Sequence, residues 1–320
     1  MTRWQRTARY ALATFAIVFS AGVYFAIRDR APSAPAGDAG RTDPEAIAES
    51  VGGTAQLAKA MRKDLDLTYG RMLLYADGRF RFVDGLEVKV PGRAGRDFTL
   101  AARQGEGRED QTVMTVEGDV KLTASDGLVV TTDRATYDSA EDIVRVPGNV
   151  RFSRKRTTGS SVGATYDRTR DVLWMLANAA IDATPDETGQ GRLALRAGAA
   201  GFARRDRYIR FEGRMSLEQD GQRAEGDTAM AYLQPDEDLL TMVELRGSSQ
   251  VALEVTGPGQ LQSMAAQDIN LHYREDGRTL ERVTLANAAV IQFAGAGGQQ
   301  GRRLSASWMD VTLEPDGTPL

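Results

Sequence analysis

The chain contains no cysteine, which removes disulfides, thiolate nucleophiles, thiolate-ligated metals and lipidation at an N-terminal cysteine from consideration. Histidine is almost as scarce. The single imidazole, His272, lies in Ile269-Asn270-Leu271-His272-Tyr273, where a period of two puts it on the face opposite Ile269, Leu271 and Tyr273. No glycine-flanked serine accompanies it, so a hydrolytic triad lacks both its nucleophile and a sheltered base. A transition-metal site would have to rely on carboxylates, and the aspartates mostly precede glycine in turn-forming pairs, at Asp77, Asp84, Asp126, Asp220, Asp276 and Asp316. A carboxylate pair for glycoside hydrolysis is a matter of spatial separation and stays open at this point.

Two further absences narrow the class. The glycine-rich Gly105-Glu106-Gly107 and Gly295-Ala296-Gly297-Gly298 lack both the Gly-Lys-Ser/Thr ending of a phosphate loop and a strand-to-helix context, and both read as loops. A net charge of −4 with acids and bases interleaved offers no basic face to nucleic acid. The expectation is a protein that is not an enzyme and holds no cofactor or metal.

What is present begins with Tyr10–Ile27, an apolar run without charge or proline. Its length, at about 1.5 Å per helical residue, reaches roughly 27 Å and just spans a bilayer core of about 30 Å. Arg3, Arg6 and Arg9 precede it, which favours a cytoplasmic N-terminus and an exported body. The rival reading is a cleaved signal peptide, for which Ala34-Pro35-Ala36 is a poor site. The expected organisation starts with a transmembrane anchor over 1–30 and a tether over 31–66 rich in Pro, Gly, Ala and Asp, with a short helix near Ala55–Leu65.

From residue 67 onward nearly every segment reads as strand and turn. Val116 to Phe152 shows the unit: alternating Val116, Val120 and Leu122, an Asp126-Gly127 turn, a run into Ala135-Thr136-Tyr137, an acidic turn, then Ile143, Val144 and Val146 leading to Pro147-Gly148. Phe80 and Phe82 similarly lead into Asp84-Gly85, and Gln104 to Asp110 reads as a loop. The unit recurs. Gly118-Asp119-Val120 is followed by Ala135-Thr136-Tyr137-Asp138, and Gly148-Asn149-Val150 by Ala164-Thr165-Tyr166-Asp167. Comparable marks near 179, 213, 247 and 287 give one supersecondary unit stacked repeatedly. Val172, Trp174 and Leu176 point one way and Leu173 and Met175 the other, so that strand is apolar on both faces.

This combination of lone anchor, period and tyrosine marks resembles the lipopolysaccharide-export LptC family and its LptA/OstA-type relatives. The resemblance divides the body into an LptC-like stretch over 67–183 and an LptA/OstA-like continuation over 184–320, longer than a plain family member. The turn at Pro315-Asp316-Gly317, with no returning strand, reads either as leaving an edge for a partner or as marking a fragment. The implied fold is all-β, an elongated twisted antiparallel β-jellyroll with one N-terminal transmembrane helix, anchored in the inner membrane with its body in the periplasm. The implied function is to carry lipopolysaccharide through an apolar groove. The implied partners are an inner-membrane ABC transporter of the LptB/LptF/LptG type, which supplies ATP-driven extraction, and an LptA-like periplasmic protein joined by strand addition. Candidate groove residues are Val120, Leu122, Val129, Val144, Val146, Val150, Phe152, Val172, Trp174 and Leu176. Arg151-Phe152-Ser153-Arg154-Lys155-Arg156 and Arg204-Arg205-Asp206-Arg207 suit either lipid phosphates or the protection of exposed strands, and the second reading is the simpler. The alternative from another class is a membrane-anchored structural or adhesive β-repeat protein that binds polysaccharide or envelope proteins and carries no lipid.

Overall fold

The structure is a computed structural model that describes residues 43–55, 66–90, 97–109, 112–185, 187, 189, 192–219, 221–235, 239–255, 257–296 and 301–320. The expected anchor, the first part of the tether, the short helix and the turn at Asp220 lie outside these residues. No helix among the described residues is long and apolar enough to cross a membrane. The chain divides into two units, Met1–Ala46 and Ile47–Leu320, and apart from Ala46 all the strands belong to the second.

Every regular element described is a strand: β1 (Ala46–Ala55), β2 (Asp66–Tyr75), β3 (Arg79–Val90), β4 (Phe98–Ala102), β5 (Gln104–Arg108), β6 (Val113–Ala124), β7 (Val129–Asp138), β8 (Ile143–Arg154), β9 (Thr157–Asp167), β10 (Val172–Ala183), β11 (Leu193–Ala197), β12 (Ala199–Ala203), β13 (Tyr208–Gln219), β14 (Gln222–Leu233), β15 (Leu240–Ala252), β16 (Leu261–Tyr273), β17 (Leu280–Phe293) and β18 (Arg303–Thr312). Strand β1 falls within the stretch expected to be a tether and pairs with β2. Strand β5 occupies the expected loop at 104–110, because Gly105 and Gly107 leave room for large neighbours: a Cβ at Gly105 would stand 2.7 Å from Leu86, and one at Gly107 would stand 2.6 Å from the Phe80 ring. Gly295 and Ala296 follow β17 and lead into residues that are not described.

From β2 on, the registered pairings are antiparallel and follow chain order as a meander. Strands β4 and β5 share one place between β3 and β6, and β11 and β12 share one between β10 and β13. Hairpin ends follow their sequences. At Asp126-Gly127, Gly127 takes φ 84° and Asp126 Oδ1 accepts the Leu128 N–H at 3.2 Å.

Asp84-Gly85 and Pro147-Gly148, by contrast, are not hairpin turns. They lie in the middle of β3 and β8, where the pairing slips by one residue, and the same slip recurs in the middle of the other long pairs. Left-handed backbone marks these sites at Asp84 and Gly85, Gly118 and Asp119, Asn178, Gly213 and Arg214, Gly247 and Ser248, and Asn287 and Ala288. They are β-bulges, each bending its strand and sharpening its twist. The periodic marks in the sequence are therefore a line of aligned bends. Along that line the sheet folds over, and inward residues before and after a bulge share one core, as Val116 and Val120 do. With no helix layer among the described residues, complete burial of the inner face requires the sheet to cover itself.

Two cores result. The first gathers Leu67, Phe80, Phe82, Leu86, Val88, Met114, Val116 and Val120. The second runs from Met175 and Ala179 to Phe293 and Leu313, and in it Leu245, Ile269, Val283, Leu285 and Ile291 are 0% exposed. At roughly 1.5–3 kcal/mol for each large apolar side chain, uncovering those five would cost on the order of 10 kcal/mol. That is comparable with the whole stability of a typical domain, about 5–15 kcal/mol. The second core is a solid interior.

Candidate functional site: an apolar seam between two cores

Between the two cores lie β7 to β10, and their register fixes which side chains face inward. Leu122 pairs with Val130, Val130 with Phe152, and Phe152 with Gly159, while Tyr137 pairs with Val144 and Val144 with Tyr166. Across β9 and β10, Tyr166 pairs with Leu173 and Ala164 with Met175. Directly paired residues share a face, so Leu122, Val130, Val144, Val146, Val150, Phe152, Leu173 and Met175 all look inward with Val120.

Burial then divides this inner surface. Val120 at 3% exposure and Val150 at 6% are buried beside the bend, whereas Leu122, Val130, Val144, Val146, Phe152 and Leu173 are only half-buried. Val146 packs against the first core and Phe152 against the second. Between them is a strip of apolar side chains reached by solvent and closed by neither core.

Besides the buried Val120 and Val150, four of the sequence-derived groove residues lie off this strip because they face outward. Val129 pairs with Thr123 and faces outward, and Val172, Trp174 and Leu176 occupy the outer face of β10. The outward side chains have covering roles. The Trp174 indole lies on Gly201, where a Cβ would come within 2.8 Å of the ring, and Leu176, 51% exposed, lies over Gly163. Val130 and Leu173 take their places on the inner face. Alternation in the sequence already separates Leu173 from Trp174, but only the pairing to Tyr166 and Val144 tells which set faces the core.

One end of the seam is tied by a repeated Tyr-Asp-x-x-x-Asp pattern. The Tyr137 hydroxyl donates to Asp142 Oδ1 at 2.9 Å and the Tyr166 hydroxyl donates to Asp171 Oδ1 at 2.8 Å, each aspartate being held in left-handed backbone just before the next strand. The first aspartate of each pattern caps the turn: Asp138 Oδ1 accepts the Ala140 N–H at 2.9 Å, and Asp167 Oδ1 accepts the Arg170 N–H at 2.8 Å. Arg168 joins the two hairpins by donating to the Tyr137 hydroxyl at 3.2 Å and to Asp142 at 3.0 Å. Burial, then the hydrogen bond to Asp142, raises the Tyr137 pKa above the ordinary tyrosine value, so the hydroxyl stays protonated and donating. The tyrosine marks in the sequence are therefore hairpin ties.

At the other end stands the β8–β9 hairpin with its basic cluster. Arg154 pairs with Asp126 at 3.1 Å and Arg156 donates to the Thr184 carbonyl at 3.0 Å, so both arginines hold neighbouring hairpins. Turn roles also hold for three of the Asp-Gly pairs: Asp77 accepts the Arg79 N–H, Asp276 those of Arg278 and Thr279, and Asp316 that of Thr318. His272 is half-buried on the outer face, paired with Met242 and Arg282. Among the described residues no group of three or more histidines or carboxylates is placed to hold a metal ion.

An all-β sheet folded over on itself, with an apolar inner strip open to solvent and many of its ionisable groups engaged in turns and ties, has the build of a scaffold for an apolar ligand. Comparison with known proteins makes this specific. The family described as "Lipopolysaccharide-assembly, LptC-related" matches residues 16–181, just over half of the chain, and the protein belongs to that family. Its members are transport proteins that face the periplasm from the inner membrane, and membership gives the chain a part in lipopolysaccharide transport. Among solved structures, the crystal structure of LptH from Pseudomonas aeruginosa, described as the LptA homologous periplasmic component of the conserved lipopolysaccharide transport device, is 14% identical, with 42% of this chain and 75% of that chain covered and a TM-score of 0.22. No curated protein matches the chain.

Proposed function

We propose that the protein is a non-enzymatic carrier in which the acyl chains of lipopolysaccharide lie against the inner face of β7 to β10 while the phosphorylated sugars remain in solvent. The observation that carries this reading is the half-buried apolar strip of Val130, Val144, Val146, Phe152 and Leu173 between two closed cores. Each methylene removed from water contributes about 0.8 kcal/mol, so even part of an acyl chain holds there reversibly. In this reading the apolar run Tyr10–Ile27 keeps the chain at the inner membrane beside an ABC transporter of the LptB/LptF/LptG type. That transporter provides the energy of extraction. An LptA-like protein continues the sheet by strand addition at β18, whose residues 303–308 are all exposed, with Leu304 at 42% and Trp308 at 59%.

The test is in-cell photo-crosslinking from benzoylphenylalanine placed at Val144 or Phe152, with Lys121, exposed on the outer face, as the control. Lipopolysaccharide adducts are expected from the inner positions and not from Lys121. If well-expressed, folded variants give no adduct at any inner position, the carrier reading is wrong and the adhesive alternative gains.

A further inference from the structure

We infer that the lipid path is confined to β7 to β10 and opens sideways there, and that strands β15 to β17 are a sealed brace through which no cargo passes. The inference rests on the carrier reading and says where that reading stops. A conduit running the length of the sheet needs an inner surface that an acyl chain can replace along every strand. The strands differ in this respect. In β7 to β10 the buried inward residues cluster beside the bend, as Val150, Ser161, Ala164 and Met175 do, and Val130, Val144, Phe152 and Leu173 farther from it are reached by solvent. In β15 to β17, large side chains on both sides of the bend are fully covered: Leu245, Ile269, Leu285 and Ile291 are 0% exposed and Met264 is 2% exposed. An acyl chain threading this interior would have to displace side chains that fill it at crystal-like density.

Sealing gives the second half a mechanical purpose. A half-open apolar strip tends to collapse on itself, because its exposed side chains gain by covering one another. Here it is bounded on one side by the core of β2 to β6 and on the other by the larger core that starts at β10, and backbone ladders run without interruption through all of them. The bulges in β8 and β10 fix the bend at Pro147-Gly148 and Asn178. Two solid flanks joined by one continuous sheet hold the strip at a set curvature. Cargo then enters and leaves across the open side of β7 to β10.

The discriminating experiment places the same photo-crosslinker in the full chain in cells at inward, half-buried positions of each region. Val144 and Leu173 represent the seam, and Val243 and Leu253 represent the brace, with Leu280 replacing either brace position whose variant fails to fold. Each variant is purified and its thermal unfolding compared with the parent before use. Lipopolysaccharide adducts at Val144 and Leu173 at least tenfold above those at Val243 and Leu253 support the inference. Comparable adducts in both regions overturn the sealed brace and leave the carrier reading standing. Absence of adducts in both regions overturns the two together.

Discussion

At the scale of single residues, polar groups in this sheet act locally, and the Tyr-Asp ties make that measurable. Replacing Tyr137 with Phe removes donation to Asp142 and acceptance from Arg168 while leaving the Arg168–Asp142 ion pair at 3.0 Å in place. The expected loss is about 1 kcal/mol, read as a shift in the urea unfolding midpoint. Asp142 has φ 56°, so Asp142→Gly should cost less than Asp142→Ala, since glycine accepts that backbone freely. Equal costs would show that the tie, and not the backbone, carries the position. Acid sensitivity has a similar local origin at Asp276. Its pKa is lowered from 3.8 to about 2, first by the Thr279 hydroxyl at 2.5 Å and then by the N–H groups of Arg278 and Thr279. Because the folded value lies below the unfolded one, the stabilising contribution is complete above about pH 4 and is lost as pH falls toward 2. Thr279→Val should return the Asp276 titration part of the way toward 3.8, as followed by NMR of the carboxyl carbon. An unchanged titration would remove the hydroxyl from that role.

At the scale of the element, the controlling feature is the bulge. Gly198 interrupts what would be one strand between β11 and β12, and a Cβ there would meet the carbonyl oxygens of Glu212 and Gly213 at 2.9 Å. Backbone cannot swing away as a side chain can, so Gly198→Ala should destabilise by about 2–3 kcal/mol in denaturant melts. Gly148 is the internal contrast: nothing lies within 4 Å of its missing Cβ, and Gly148→Ala should be neutral or slightly stabilising. If both substitutions cost the same, the steric account of the bend fails. This scale is also where the sequence was most and least informative. The marks at Gly118, Gly213 and Gly247 stand out in the sequence because left-handed backbone favours glycine, and with Gly148 they fall on the bends. Their meaning as bulges, not hairpin turns, depends on the partner strand, which slips register there by one residue. The same dependence explains the groove residues. Period two groups Val172 with Trp174 and Leu176 correctly, yet with apolar residues on both faces of β10 it does not say which group is inside. The pairing of Leu173 with Tyr166 decides that.

At the scale of the whole molecule, burial changes along the meander, from a closed core through an open seam to a larger closed core, and ends in an exposed strand. That ending differs from the rest of the sheet. Leu304 faces inward, paired with Ile291, and Trp308 faces outward, paired with Ala286, yet both are largely exposed, so neither contributes much to the fold of the isolated chain. Lysine is the residue that natural edge strands use to discourage pairing. The double substitution Leu304→Lys and Trp308→Lys should therefore leave the melting temperature within about 2 °C of the parent, a surface-type effect of under 0.5 kcal/mol. It should also abolish crosslinking between β18 and an LptA-type partner. Lipid adducts at Val144 should persist, because in the proposed reading lipid enters and leaves across the seam and the edge serves only to dock the partner. A variant that keeps its partner crosslinks would show that docking lies elsewhere. A variant that loses seam adducts together with its partner would show that the seam is filled only in the assembled bridge, which would make partner docking a condition for loading.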